Sequence, residues 1–333
     1  MSVIHDDRPH PVPPIAYLRY KENWFFLIMD EKSGVFGAIH VVSEPGFERI
    51  RFACHLSVKG ELLKYGSEIA FPENFGFAEE LGDGKFAVSF VKAHEQIDVR
   101  LHYEDVDMEI SFLKRTPLFD FQEYDFANPD KVTVQEIVNF STRQQYVHQQ
   151  QGMLTRGTLS VKKGISAGKT IHVDGLGYRD HSRSVRCDNM TLKHFWTGLH
   201  FPNHVFGAMS VTGVLRPESP GNTGYVHDQS GGLRPLRLVD IRGKGDGPGG
   251  LPATVEFQLS DIYNQRFTIS GDLSKRFAHV PLQTEKPGAT PFVYDIVENF
   301  VPLTLKETGE TGIGLIEVGW STDRAGQRTQ PAR

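Results

Sequence analysis

Apolar and polar residues alternate in short runs along most of the chain, and the period of two predicts strands, not helices. In the first half the runs are "NWFFLIMD", "FGAIHVVSE", "ERIRFACHLSV", "KFAVSFVKA", "QIDVRLHYE" and "MEISFLKR", separated by turn-like "EKSG", "EPG", "VKGE" and "GDG". The second half repeats the habit with "TLKHFWTGLHF", "HVFGAMSVTGVL", "LRPLRLVDIRG", "ATVEFQLSDI", "QRFTISGDL" and "TGIGLIEVGW". Long apolar stripes at helical spacing are missing. Roughly a dozen strands need a sandwich, a large barrel or two barrel-like units, because closed or paired sheets leave the fewest exposed edges. The expected fold is therefore all-β, with two antiparallel barrel or sandwich units packed together and few short helices. The expected domains are residues 14–160 and 161–325, with 1–13 and 326–333 as arms or tails and "RGKGDGPGG" (242–250) as a long flexible loop.

Composition sharpens this picture in a few places. The 33 Gly, 19 Pro and 23 Phe suit a turn-rich β protein. Lys plus Arg number 36 against 41 Asp plus Glu, a net charge of -5 without a basic stretch, so nucleic acid is not an expected partner. No window approaches about 18 uninterrupted apolar residues, and "MSVIHDDRPHPVPP" lacks the pattern of a secretory signal. The expectation is a soluble, cytoplasmic protein without a membrane span, with homodimerisation left open. Cys54 and Cys187 are too few for a disulfide framework and read as buried thiols. "GISAGKT" (164–170) is one residue short of a phosphate-binding loop and is followed by a β-like "IHV" where a helix would be needed. The glycines of "GKGDGPGG" lack the strand–turn–helix setting of a dinucleotide site. No cofactor is expected.

Chemistry concentrates in "DGLGYRDHSRSVR". Gly175 and Gly177 suggest a bend or bulge in a strand. In an extended chain Tyr178, Asp180 and Ser182 share one face, while Arg179, His181 and Arg183 share the other, so that one side can be a pocket wall and the other its support. An Asp facing an apolar cavity holds its proton to higher pH and can serve as an acid.

This stretch resembles the Tyr-x-Asp-His signature of the family that includes carotenoid hydratases and the AttH-like proteins of two lipocalin-like domains, some of which are cofactor-free cyclases and pericyclases. Tyr178, Asp180, His181 and Ser182 carry the match, and "YVHQQQGMLTRGTLSV" (146–161) is similar to a segment with a His-x-Trp pair, His148 matching the histidine. Gln150 stands where the carotenoid enzymes have tryptophan, and Arg183-Ser184 replaces Trp-Gly, so the pocket floor differs. "KENWFFLIMD", "GYVHDQSGGLRPLRLVDIRG" and "GIGLIEVGW" extend the resemblance over most of the chain.

In "HFWTGLHFPNHVFG", His194, Trp196 and His200 share a strand face and a Pro202-Asn203 turn brings back His204; these read as pocket-lining or core groups, and no metal ligand is assigned. Trp24, Trp196 and Trp320 read as core or cavity lining, and Glu123, Asp125 and Glu136 as a solvated face.

The resemblance, with no nucleotide motif in the chain, implies a cofactor-independent lyase, hydratase or isomerase acting on a hydrophobic terpenoid or aromatic molecule in a pocket between the units. The expected proton-transfer set is Asp180, His148, Tyr178 and His181, with Arg179, Arg183, Gln150, His194, Trp196 and His200 binding substrate. An arginine-anchored carboxylate would suit decarboxylation of a phenolic or styryl acid. A non-catalytic carrier of apolar ligands and a cyclase working through cavity shape are the alternatives.

Overall fold

The computed structural model describes residues 7–12, 18, 20–121, 147–185, 191–213, 216–247, 251–284 and 293–322. The chain divides into two compact units, Met1–Arg186 and Cys187–Arg333.

The first unit contains β1 (Tyr20–Asp30), β2 (Val35–Glu44), β3 (Arg49–Val58), β4 (Glu61–Ala70), β5 (Glu80–Gly82), β6 (Phe86–Lys92), β7 (Gln96–His102), β8 (Val106–Lys114), β9 (Phe119–Asp120), β10 (Val147–Val161) and β11 (Lys169–Val185). They form one 11-stranded sheet in the order β4-β3-β2-β1-β11-β10-β8-β7-β6-β5, with β9 beside β10. The sheet curls, because residues from β1 to β4 and from β6 to β8 meet in a single core that includes Trp24, Phe26, Phe52, Phe86 and Phe112. Its tight turns carry the residues that left-handed backbone favours, as at Gly34 (φ 72) and Gly60 (φ 87).

The second unit contains β12 (Thr191–His200), β13 (His204–Gly213), β14 (Arg216–Asp228), β15 (Gly232–Asp246), β16 (Pro252–Asp261), β17 (Arg266–Asp272), β18 (Ala278–Thr284), β19 (Val293–Leu305) and β20 (Glu310–Thr322). Here β17 also pairs with β19, so eight of its nine strands close into a barrel and β18 lies outside the ring. Closure removes the free edges that an open sheet exposes. Phe195, Leu199, Phe206, Phe257, Ile269 and Ile316 fill the interior.

The all-β architecture of two antiparallel units agrees with the sequence pattern, with one unit an open curl and the other closed. Four expectations are corrected. The division falls at 186/187, not near 160, and the Tyr178–Ser182 motif belongs to the first unit, because β11 pairs with β1 along one side and β10 along the other. The arm is no loose tail: Asp7 and His10 are buried. Residues 242–246 extend β15, Arg242 facing Glu256 and Asp246 facing Pro252. Finally, β11 has no bulge, since its register with β10 runs unbroken from Lys169 to Arg183. Gly175 and Gly177 serve close approach instead. A Cβ on Gly175 would lie 2.7 Å from the Met29 carbonyl oxygen, and one on Gly177 would lie 2.6 Å from Thr155 Cγ2 and 3.1 Å from the Leu27 carbonyl oxygen.

Among the described residues no helix is long and apolar enough to cross a membrane. Gly177→Val would force atoms into a filled site; it is expected to cost about 1–3 kcal/mol, read as a lowered urea midpoint.

Candidate active site

The geometry starts from register. Across β1 and β11, Leu27 faces Tyr178 and Phe25 faces Asp180, while Phe26 faces Arg179 and Trp24 faces His181. Directly opposed residues project from the same side of a sheet. Since Trp24 and Phe26 belong to the core of the curl, Arg179 and His181 point into that core and Tyr178 and Asp180 point to the opposite face. On β10, Gly152 faces Tyr178, Gln150 faces Asp180 and His148 faces Ser182, which places His148 and Gln150 on the Asp180 face.

On that face four side chains form one connected network. The Tyr178 hydroxyl donates to Gln150 Oε1 at 2.8 Å, and Gln150 Nε2 donates to Asp180 Oδ2 at 3.0 Å. His148 Nε2 donates to the same carboxylate oxygen. Asp180 and His148 are each 7% exposed and Tyr178 is wholly buried. Phe121 stacks on the His148 ring at 4.7 Å between centroids, and Phe119, which faces Gln150 across β9 and β10, meets Phe121 edge to face. The carboxylate thus sits among aromatic rings and directed donors, where its charge interacts more strongly than in water.

Behind the strand lies a second polar set. Arg179 Nη1 donates to Asp7 Oδ1. Glu22 Oε1 accepts from His10 Nδ1 at 2.7 Å and from His181 Nε2 at 2.9 Å, while Glu22 Oε2 accepts the His10 backbone N–H at 3.0 Å. Burial alone would raise the Glu22 carboxyl, yet the hydrogen bonds from His10 and His181 outweigh it and hold Glu22 below the usual carboxylate range. Burial pushes His181 down to about 4 against the pull of Glu22, so the ring is neutral at pH 7. Trp24 stacks on that ring at 5.1 Å. His10, Glu22 and His181 have the ligand types and mutual reach of a metal set, but their hydrogen bonds already satisfy the carboxylate from within.

The sequence reading is therefore corrected at several residues. Arg179 and His181 lie on the face opposite Asp180, as the alternation predicts, but there they bond to Asp7 and Glu22 in the core and not to groups on the Asp180 face. The Tyr178 hydroxyl bonds to Gln150 and is linked to the Asp180 carboxylate through it. Arg183 is half-buried and lies beside Tyr20 on the core side. Gln150, read as a substitute for an aromatic, is the hub of the network. In the barrel unit Trp196 and His200 are buried, and His194 Nε2 bonds to Glu317 Oε1. Their face lies opposite Phe195 and Leu199, which fill the barrel. His204 turns to the other side, bonded to Glu310 at 2.7 Å beside Phe206, so the three histidines of this hairpin do not converge. Trp320 packs against the barrel core. Glu123, Asp125, Glu136 and Cys187 lie outside the described residues. A recess of about 470 Å³ lined by Lys85, His102, Tyr103, Glu104 and Lys162 is remote in sequence from both sets and shares none of their residues.

Residues 4–322 match a family described as Domain of unknown function (DUF7064). The chain belongs to this family. Among solved structures, this DUF7064 protein is similar to an AttH-like protein (NE1406) from Nitrosomonas europaea, at 13% identity over 90% of this chain and 92% of that one, with a TM-score of 0.63. It is similar to kievitone hydratase from Nectria haematococca at 11% identity, 95% and 98% coverage and a TM-score of 0.59. A third likeness is to CghA with Sch210972, at 10% identity, 95% and 94% coverage and a TM-score of 0.64. No curated protein matches the sequence. The resemblance to the AttH-like proteins of two β domains, drawn from the Tyr178–Ser182 stretch, holds at the level of fold.

The buried support of this DUF7064 protein titrates in acid. His181 binds its proton near pH 4 when folded and near 6.5 when unfolded, so the unfolded state holds more protons between those values and stability falls as pH drops through them. Glu22, lowered when folded, adds a loss in the same direction below its ordinary value of 4.5. His181→Gln is expected to flatten the decline of the urea midpoint between about pH 6.5 and 4, a span worth about 3 kcal/mol in the unaltered protein. An unchanged slope would refute the assignment.

Proposed function

We propose that this protein is a cofactor-independent acid/base enzyme of the hydratase and lyase class, adding water to or removing it from a neutral hydrophobic small molecule. The observation that carries the reading is the convergence of His148, Gln150 and Tyr178 on the Asp180 carboxylate, on a buried and aromatic face. A carrier of apolar ligands requires an apolar surface but no such convergence.

Asp180 and His148 are the proton-transfer pair in this proposal, because a carboxyl group and an imidazole joined by a hydrogen bond can pass a proton to and from a substrate. In hydration of a double bond, that proton goes to one carbon, a water oxygen bonds to the other, and the surplus proton of the attached water returns to the pair. The sum is addition of one water with no redox change, and the reverse sequence is dehydration. Gln150 and Tyr178 orient the carboxylate, the role that directed hydrogen bonds play in reducing reorganisation during proton transfer. Phe119 and Phe121 keep bulk water from the pair and favour an apolar substrate.

Water chemistry is preferred to decarboxylation because both arginines expected to hold a substrate carboxylate lie behind the strand, Arg179 on Asp7 and Arg183 beside Tyr20. The likeness to a protein named kievitone hydratase supports the same choice. Isomerisation uses the same proton transfers without water, and a shape-driven cyclase would not need the Asp180 carboxylate.

The test is a panel of phenolic and terpenoid alkenes and alcohols, followed by mass spectrometry for gain or loss of one water. On the substrate so found, Asp180→Asn is expected to lower turnover by about 10²- to 10⁴-fold with the fold intact. His148→Gln is expected to fall in the same range. Turnover unchanged in Asp180→Asn would remove Asp180 from the chemistry.

A further inference from the structure

The barrel unit holds a buried carboxyl pair that neither the network around Asp180 nor the sequence reading uses. Glu298 on β19 and Glu317 on β20 face each other directly in register. On the far side of β20 lies β12, where Trp196 opposes Glu317 and His194 Nε2 donates to Glu317 Oε1. Glu298 is wholly buried, and no donor of the described residues reaches either of its oxygens.

Two carboxylates opposed across neighbouring strands repel, and a carboxylate accepts hydrogen bonds without donating any. A buried pair of this kind is relieved when one member keeps a proton and donates to the other. Glu317 already accepts from His194, which makes it the member that bears the charge. Glu298 is then the acid, in keeping with burial first, and the nearby Glu317 second, raising it well above the ordinary carboxyl range. Its other oxygen remains an acceptor for which the described residues supply no donor. Phe300 and Leu315, also buried, lie two residues along from Glu298 and Glu317 and so on the same face.

We propose that Glu298 and Glu317, steadied by His194, form a one-proton carboxyl pair that binds a neutral hydroxyl group, the Glu298 oxygen without a donor accepting the ligand's O–H. An alcohol or phenol fits by charge. A carboxylate ligand would meet the charge on Glu317, and an ammonium ligand would strip the proton from Glu298. The same hydroxyl chemistry can come from water, which a small aromatic probe distinguishes. This assignment does not depend on the role of Asp180.

Infrared spectroscopy of protein labelled with ¹³C-glutamate at about pH 8, far above the ordinary glutamic acid range, tests it. A labelled band of a protonated carboxyl is expected, lost in Glu298→Gln and kept in Asp180→Asn. Glu317→Gln gives a second route to the same answer, because its amide would donate to Glu298 and allow it to ionise, which also removes the band. Phenol is expected to shift the band and benzoate to leave it in place. No labelled protonated band at that pH, or one surviving Glu298→Gln, would overturn the carboxyl pair; a band that phenol does not move would overturn the hydroxyl site.

Discussion

The structure depends on one demand: buried polar groups along β11 must find partners on both faces of the same strand. Strand alternation sends Asp180 one way and Arg179 and His181 the other, and water is excluded from each side. A buried donor or acceptor left unmatched costs about 1–3 kcal/mol, so a strand with this sequence needs dedicated partners in front and behind. β10 supplies them in front through His148 and Gln150. The N-terminal segment and β1 supply them behind through Asp7, His10 and Glu22. The position of residues 7–10 follows from this. Residues 7–10 are held down by the needs of Arg179 and Glu22.

The two polar sets also differ in chemical character. Behind the strand, Arg179 is matched by Asp7, and Glu22 is ionised between imidazoles, with His181 neutral. Such a set holds the strand from the core side, through Arg179 on Asp7 and His181 on Glu22. In front, the Asp180 carboxylate is tied to the His148 imidazole, on which the Phe121 ring stacks. One strand thus joins the polar set on the core side to the network around Asp180, through the backbone of residues 179–181.

Much of this was legible in the sequence, and the failures have physical causes. Segments with clear alternation, such as "KFAVSFVKA" and "ATVEFQLSDI", are strands β6 and β16 as the period of two predicts. β19 escaped because "VYDIVENFVPLTL" interrupts its apolar positions with Glu298, Asn299 and Pro302, each of which is accommodated only by its neighbours in the sheet. β4 escaped because "ELLKYGSEIA" is a half-exposed strand near one end of the sheet, with charges on its outer side. The pairing of Asp180 with His148 was readable through resemblance, while its completion by Gln150 rests on the β10–β11 register, which local pattern does not specify. Asp7, Glu22 and Glu298 are invisible for the same reason: each acquires its meaning from a strand distant in sequence. The boundary misplaced near 160 fell inside the β10–β11 hairpin, whose partners, β1 and β8, lie far upstream.

The fold is shared with proteins as different in name as an AttH-like protein, kievitone hydratase and CghA, so the scaffold itself does not select a reaction. In this chain an amide at position 150 connects a phenol to a carboxylate. The most direct measurement of the account is proton NMR of the ring N–H that His148 donates to Asp180, in protein labelled with ¹⁵N-histidine. The account predicts a strongly downfield resonance that exchanges slowly with water, disappears in Asp180→Asn and persists in His194→Gln. A His148 N–H that exchanges at the rate of free imidazole, or one indifferent to the loss of the Asp180 carboxylate, would contradict it.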